Sequence, residues 1–195
     1  LSLCGINSFS ERAEIDFEKL LEFGIFGIFG DTGSGKSTIL DCIGFALYGN
    51  VARSRSGSIA DVINYNADKA DVQFEFEIFF DGKRRKFRVE RDLKRKNAAQ
   101  SAKVYEFDGE SRRVVADGVR DSNAFLERVI GLEQKDFEKC IALPQGEFAQ
   151  FVKSARGDRL KLVSRLFDLE SYGDALVRRA GARMTESKQA LELTN

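Results

Sequence analysis

The chain has 195 residues, 43% of them hydrophobic and 17 of them Phe, enough for one domain, or one lobe of a larger one, to bury a sizeable core. Its 31 Lys and Arg balance 31 Asp and Glu, which excludes a global field for steering nucleic acid and leaves only local patches. The absence of His excludes His-based general-base catalysis and His metal ligands. Cys4, Cys42 and Cys140 are scattered, with no C-x-x-C, and read as buried free thiols of a reducing cytosol rather than staples or zinc ligands. No apolar run approaches the ~20 residues of a membrane span. No signal peptide is visible, and the chain opens on Leu rather than Met, as a trimmed chain does.

In chain order, residues 1–6 and 13–17 predict two strands around a turn at Asn7-Ser8-Phe9-Ser10. Gly24-Ile25-Phe26-Gly27-Ile28-Phe29 is a short apolar run that reads as a buried strand. It feeds Gly30-Asp31-Thr32-Gly33-Ser34-Gly35-Lys36-Ser37, which fits the phosphate-binding pattern G-x-x-x-x-G-K-[ST]. A helix over 37–48 follows, with Ile39, Leu40, Ile43, Ala46 and Leu47 as its apolar face and Gly49-Asn50 at its end. In this pattern Gly30, Gly33 and Gly35 permit backbone angles and close approaches that a Cβ would block. Backbone N–H groups and the helix N-terminus face an anion. Lys36 would reach the β- and γ-phosphates of a nucleotide such as ATP, and the Ser37 hydroxyl would ligate Mg²⁺; Thr38 is the weaker candidate, one place too far along.

Residues 51–68 are polar and read as a loop or short-helix region near the nucleotide. It carries Arg53 and Arg55, which are either phosphate sensors or part of a solvated basic loop. Val72, Phe74, Phe76, Ile78 and Phe80 alternate with Gln73, Glu75, Glu77 and Phe79, the period of a half-buried strand. Asp81-Gly82 predicts a hairpin and Phe87 and Val89 its return; 104–107, Asp108-Gly109 and 114–115 predict a second hairpin. Asp121 or Ser122 would cap a helix carrying Phe125, Leu126, Val129 and Ile130, which Gly131 ends. Residues 136–141 place Phe137, Cys140 and Ile141 on one face, and 158–167 predict another helix; from 171 onward apolar points are sparse, as in a helix whose partner is elsewhere.

Leu143-Pro144-Gln145-Gly146-Glu147-Phe148 holds the only Pro of the chain. Its Gln145 is either a surface side chain on a helix-ending turn, or an uncharged amide able to meet a metal-bound water. Together with the Gly30–Thr38 loop, the Asn7-Ser8-Phe9 turn and the Phe45-Ala46-Leu47-Tyr48-Gly49 helix end, this stretch resembles the N-terminal ATPase lobe of the SbcC family, ABC-type ATPases of bacterial DNA repair. The resemblance implies an α/β P-loop fold of the ABC-ATPase type over 1–170, with antiparallel hairpins at about 72–115, and the start of a coiled coil over 171–195. It implies ATP and Mg²⁺ on Gly30, Asp31, Thr32, Gly33, Ser34, Gly35, Lys36, Ser37 and Thr38. Gln145 would be the glutamine that contacts Mg²⁺ and the attacking water, and Asn7, Ser8 and Phe9 would border the adenine.

The implied partners are the protein's own C-terminal ATPase lobe, a second head in an ATP-dependent homodimer, an SbcD-type nuclease and double-stranded DNA, in the cytoplasm and away from membranes. The family's L-S-G-G signature, Walker B Asp with its catalytic Glu, and C-x-x-C hook do not occur in these residues, so little hydrolysis is expected of this stretch alone. A chromosome-organising ATPase and a transporter cassette are the competing readings. Between Asp81 and Lys103 stand Lys83, Arg84, Arg85, Lys86, Arg88, Arg91, Lys94, Arg95, Lys96 and Lys103, opposed by Asp81, Glu90 and Asp92. Such a stretch is either an ordinary solvated hairpin or a face that neutralises DNA phosphates, with Arg85, Lys94, Arg95 and Lys96 as the DNA-contact candidates.

Overall fold

Alternation of apolar and polar residues dominates the middle of the chain, and the computed structural model turns it into one antiparallel sheet. Residues 1–20, 24–51, 58–142, 157 and 181–184 are described. The strands are β1 (Ser2–Cys4), β2 (Ala13–Glu14), β3 (Lys69–Phe80), β4 (Lys83–Lys94), β5 (Gln100–Asp108) and β6 (Ser111–Asp117). Their order is β2-β1-β3-β4-β5-β6, with every neighbouring pair antiparallel. The helices are α1 (Phe17–Leu20), α2 (Lys36–Tyr48), α3 (Val119–Ile130) and α4 (Gln134–Cys140), with 3₁₀ turns at Ile59–Val62 and Lys96–Ala98. The chain divides into two compact units, Leu1–Glu138 and Lys139–Asn195. In the second, residues 181–184 are helical and exposed.

The β3–β4 hairpin turns on Asp81 and Gly82, as predicted, because Phe80 pairs with Lys83 and both turn residues take positive φ. The second hairpin shifts by one place. Asp108 pairs with Ser111, so its loop is Gly109-Glu110. One face of the sheet carries Val72, Phe87, Val89, Leu93 and Val104, all buried, against Cys42, Phe45 and Ala46 of α2 and Leu126 and Val129 of α3. The buried apolar residues of α2 include Ile39, Cys42, Phe45, Ala46 and Leu47, so Ile39, Ala46 and Leu47 of the predicted face lie inside, whereas Leu40 is exposed and Ile43 half-buried. Helix α3 starts at Val119 on Gly118, with no side-chain cap, so neither Asp121 nor Ser122 caps it. Ser122 is instead buried in the first turn. Gly131 ends α3 in the left-handed conformation, its N–H donating to the Glu127 carbonyl. Phe137 is buried against the Tyr48 ring, while Ile141 is exposed.

Residues 24–29 depart most from expectation. The apolar run forms no strand; Ile25 is 82% and Phe29 94% exposed. A strand needs a free sheet edge, and among the described residues the sheet ends at β2 and β6, neither of which pairs with this run. Its one ring contact among the described residues is Phe26 with Phe17, at 5.9 Å between centroids. Cys4 is half-buried rather than buried, and Cys42 is fully buried; both are free. No helix among the described residues is long and apolar enough to cross a membrane.

Candidate nucleotide site

The loop ahead of α2 is built for an anion. Helix α2 begins at Lys36 with Gly35 as its N-cap, no side-chain cap and no acidic residue in its first turn. Its first N–H groups and the positive end of its dipole are therefore open to a negative ligand. Gly35 has φ 92°, a conformation that favours glycine, and a Cβ there would stand 2.6 Å from the Phe9 ring, which would have to shift. The Lys36 ammonium is folded over the loop, donating to the carbonyls of Gly30 at 2.7 Å and Asp31 at 2.6 Å, with Ser34 Oγ at 3.4 Å. A phosphate oxygen is a stronger acceptor than these neutral carbonyls. Ser37 is exposed beside Lys36, whereas Thr38 is 6% exposed and faces the core. Burial thus separates the two hydroxyls that sequence spacing alone had ranked.

The turn of Asn7, Ser8 and Phe9 meets this loop. Ser8 Oγ donates to the Gly33 carbonyl at 2.8 Å, and the Phe9 ring lies against Gly35. Asn7 is held from behind: its N–H donates to the Val62 carbonyl at 2.7 Å and its carbonyl accepts from Asn64 Nδ2 at 2.6 Å. The turn and the phosphate loop, remote in sequence, thus form one surface. Gly30, Asp31, Thr32, Gly33 and Ser34 are exposed along it. Gln145 with the whole of residues 143–148, Arg53, Arg55 and the helix predicted over 158–167 lie outside the described residues, as does most of 171–195.

The basic stretch does not form one open stripe. Lys86 and Arg88 do face away from Phe87 and Val89, but Glu75 pairs with both, and Arg88 also approaches Glu90 at 3.8 Å. Both cations also lie over the Phe107 ring. Arg85 faces the opposite side, bonded to buried Glu106 at 2.9 Å; Arg113 holds the other oxygen of that carboxylate at 2.7 Å. Burial works against ionisation of Glu106, but hydrogen bonds and charge from Arg113 and Arg85 outweigh it, so its pKa is lowered. Arg95 donates to the carbonyls of Ala67, Ile63 and Asn64. Lys94 and Lys96 are exposed, with no carboxylate partner among the described residues. Nine residues of strand separate Arg85 from Lys94, about 30 Å. Arg85 therefore cannot share one phosphate patch with the other three.

Sequence reading missed Arg91. It is 1% exposed, and its guanidinium donates to the Ala46 carbonyl at 2.7 Å, the Leu47 carbonyl at 3.4 Å and Asn123 Oδ1 at 2.7 Å. Burial pulls its pKa down to about 10, which leaves it charged at neutral pH. The signal was present: Arg91 is in phase with Phe87, Val89 and Leu93 on the buried face of an alternating strand.

The AAA domain family matches residues 1–195, the whole chain. The SbcC subunit of the nuclease SbcCD from Clostridium acetobutylicum is 42% identical over 178 residues, covering 88% of this chain and 15% of that protein. Its namesake from Bacillus subtilis is 38% identical over 191 residues, 96% of this chain and 17% of that protein. The probable DNA double-strand break repair Rad50 ATPase of Aquifex aeolicus is 34% identical over 170 residues, 87% of this chain and 16% of that protein. The chain thus spans roughly a sixth of the length of the curated relatives it matches. With a phosphate loop at the mouth of α2 and this similarity over most of its length, the chain belongs to the AAA domain family of P-loop ATPases, and its likeness to SbcC-type proteins lies in their ATPase region.

Proposed function

We propose that this chain is the ATP-binding half of an SbcC-type ATPase head that acts in DNA double-strand-break repair. The observation that carries the reading is the uncapped N-terminus of α2 with Lys36 poised over the Gly30–Gly35 loop. Lys36 would exchange loop carbonyls for the β- and γ-phosphates of ATP, and the loop N–H groups would hold the remaining oxygens. Mg²⁺, when bound, supplies charge neutralisation between those phosphates; Ser37 and Gln145 would hold it, and Gln145 would orient the attacking water. Asn7, Ser8 and Phe9 would border the adenine, in keeping with the Ser8 and Phe9 contacts to the loop.

The signature and Walker B groups would come from the protein's own C-terminal lobe and from a second head, joined in an ATP-dependent homodimer. That dimer would clamp double-stranded DNA and gate an SbcD-type nuclease; in support, one relative is named a subunit of the nuclease SbcCD and another a probable DNA double-strand break repair ATPase. Lys94 and Lys96 are the side chains best placed for DNA phosphates. Residues 171–195 would begin the coiled coil. On this reading the chain alone binds Mg·ATP and turns it over negligibly, because positioned water, metal and opposing charge must act together.

Titration with a fluorescent ATP analogue in Mg²⁺ tests the reading. Lys36→Met is expected to weaken binding at least about tenfold, the loss of one charge-assisted contact. Equal affinity of the variant and the parent chain would refute it.

A further inference from the structure

β4 and the residue just after it hold two segments that lead to the nucleotide loop. Behind the loop, Arg91 grips the carbonyls of Ala46 and Leu47. These belong to the last turn of α2, where carbonyls lack intrahelical donors and carry the negative end of the dipole. Helix α2 has no basic residue of its own in that turn. No carboxylate among the described residues pairs with Arg91, so the helix end is its counter-charge. An apolar side chain of equal volume would fill the space without setting the axial position of α2. That position places Lys36 and the loop at the other end, about 20 Å away.

In front of the loop, Arg95 grips a second set of carbonyls: Ala67 at 3.1 Å, Ile63 at 3.2 Å and Asn64 at 2.8 Å. Its own N–H donates to the Asp68 carbonyl at 2.8 Å. The segment it holds is bonded directly to the turn at Asn7, through Asn64 Nδ2 to the Asn7 carbonyl and through the Asn7 N–H to the Val62 carbonyl. That turn places Ser8 on the Gly33 carbonyl and Phe9 on Gly35. The contacts run without a gap from Arg95 to the phosphate loop.

We propose that Arg91 and Arg95 are positioning residues for the nucleotide. Arg91 sets the helix behind the phosphate loop from β4, and Arg95, the residue just after that strand, sets the turn in front of it. The proposal rests on the reading of the loop as a nucleotide site. It also reassigns Arg95 from phosphate contact to internal brace, because its guanidinium is engaged with backbone carbonyls.

The test uses the chain with a fluorescent ATP analogue and Mg²⁺, well below the unfolding temperature of every variant. Arg95→Gln is expected to raise Kd about fivefold, the weight of roughly one hydrogen bond. Lys83→Gln, which removes an exposed charge at the far end of the same strand without touching the 63–67 segment, is expected to leave it unchanged. Arg91→Lys keeps the charge and loses the fork, and is expected to fall between the parent and Arg91→Met. Should Arg91→Met not fold, Arg91→Lys still carries the comparison. Amide hydrogen exchange across residues 30–36 provides the second readout, and is expected to quicken in Arg95→Gln and not in Lys83→Gln. Parent-like affinity and parent-like exchange in both Arg95→Gln and Arg91→Lys would overturn the proposal while leaving the nucleotide reading intact. A parent chain that does not bind the analogue, or binds it equally with Lys36→Met, would overturn the nucleotide reading and the proposal with it.

Discussion

Replacing Gly35 by Ala tests the geometry of the phosphate loop with one methyl group. Two costs follow from the structure. The residue sits at φ 92°, where an L side chain costs roughly 1–2 kcal/mol. The new Cβ would also lie 2.6 Å from Phe9 Cε2 and 3.0 Å from Cζ, so the ring must move or the loop must open. Overpacking of this kind costs typically about 1–3 kcal/mol. The sum, about 2–5 kcal/mol, is a large part of the roughly 5–15 kcal/mol that hold a domain together.

Urea unfolding would measure the loss, and titration with a fluorescent ATP analogue would show whether the surviving fold still presents the loop. The two costs separate in a cycle. Phe9→Ala removes the ring, so Gly35→Ala on that background should retain the φ cost and lose the steric one. Coupling of about 1 kcal/mol or more is therefore expected between the two positions. Strict additivity would refute the Phe9 contact, and a Gly35→Ala chain with parent stability and affinity would refute both the contact and the left-handed backbone cost.

Two further outcomes are expected. Ser37→Ala should leave stability within about 0.5 kcal/mol, since the side chain is exposed, yet remove the Mg²⁺ dependence of ATP-analogue affinity; Thr38→Ala should do the reverse, lowering the unfolding midpoint with Mg²⁺ dependence retained. Glu106 has its pKa lowered in the fold, so its ionised form stabilises above the ordinary carboxylate pKa of about 4.3, and that contribution drains away as pH falls through the lower folded value. Glu106→Gln should accordingly be less stable at pH 7 and show a shallower loss of stability below about pH 4.3, read by urea midpoints across pH.

Much of the site was legible because its signals are local. The Gly30–Ser37 spacing, the Gly49 helix stop and the Asp81-Gly82 turn each depend on a few consecutive residues, and each has its structural counterpart. The strand predicted at 24–29 failed because a strand is defined by its neighbour, and no described strand edge accepts it. The predicted face of α2 missed at Leu40 and Ile43 for a related reason, while Ile39, Ala46 and Leu47 are buried. Leu40 and Cys42 are both apolar enough to be inside, and only the position of the sheet chose Cys42.

By itself the sequence determined the glycine-rich loop ahead of α2, the central hairpin and the alternation that buries one face of the sheet, because backbone angles and side-chain period are properties of neighbours along the chain. Only the tertiary structure decided which charges are free and which are engaged. Lys86 and Arg88 are paired with Glu75 and Arg85 with Glu106, and Arg95 and Arg91 are hydrogen-bonded to backbone carbonyls, while Lys94 and Lys96 face solvent. It also decided that the Asn7 turn meets Gly33 and Gly35 across more than twenty positions of chain. Pairing of charges and contact between remote segments depend on where the sheet carries each residue, a distance in space that no spacing along the chain records.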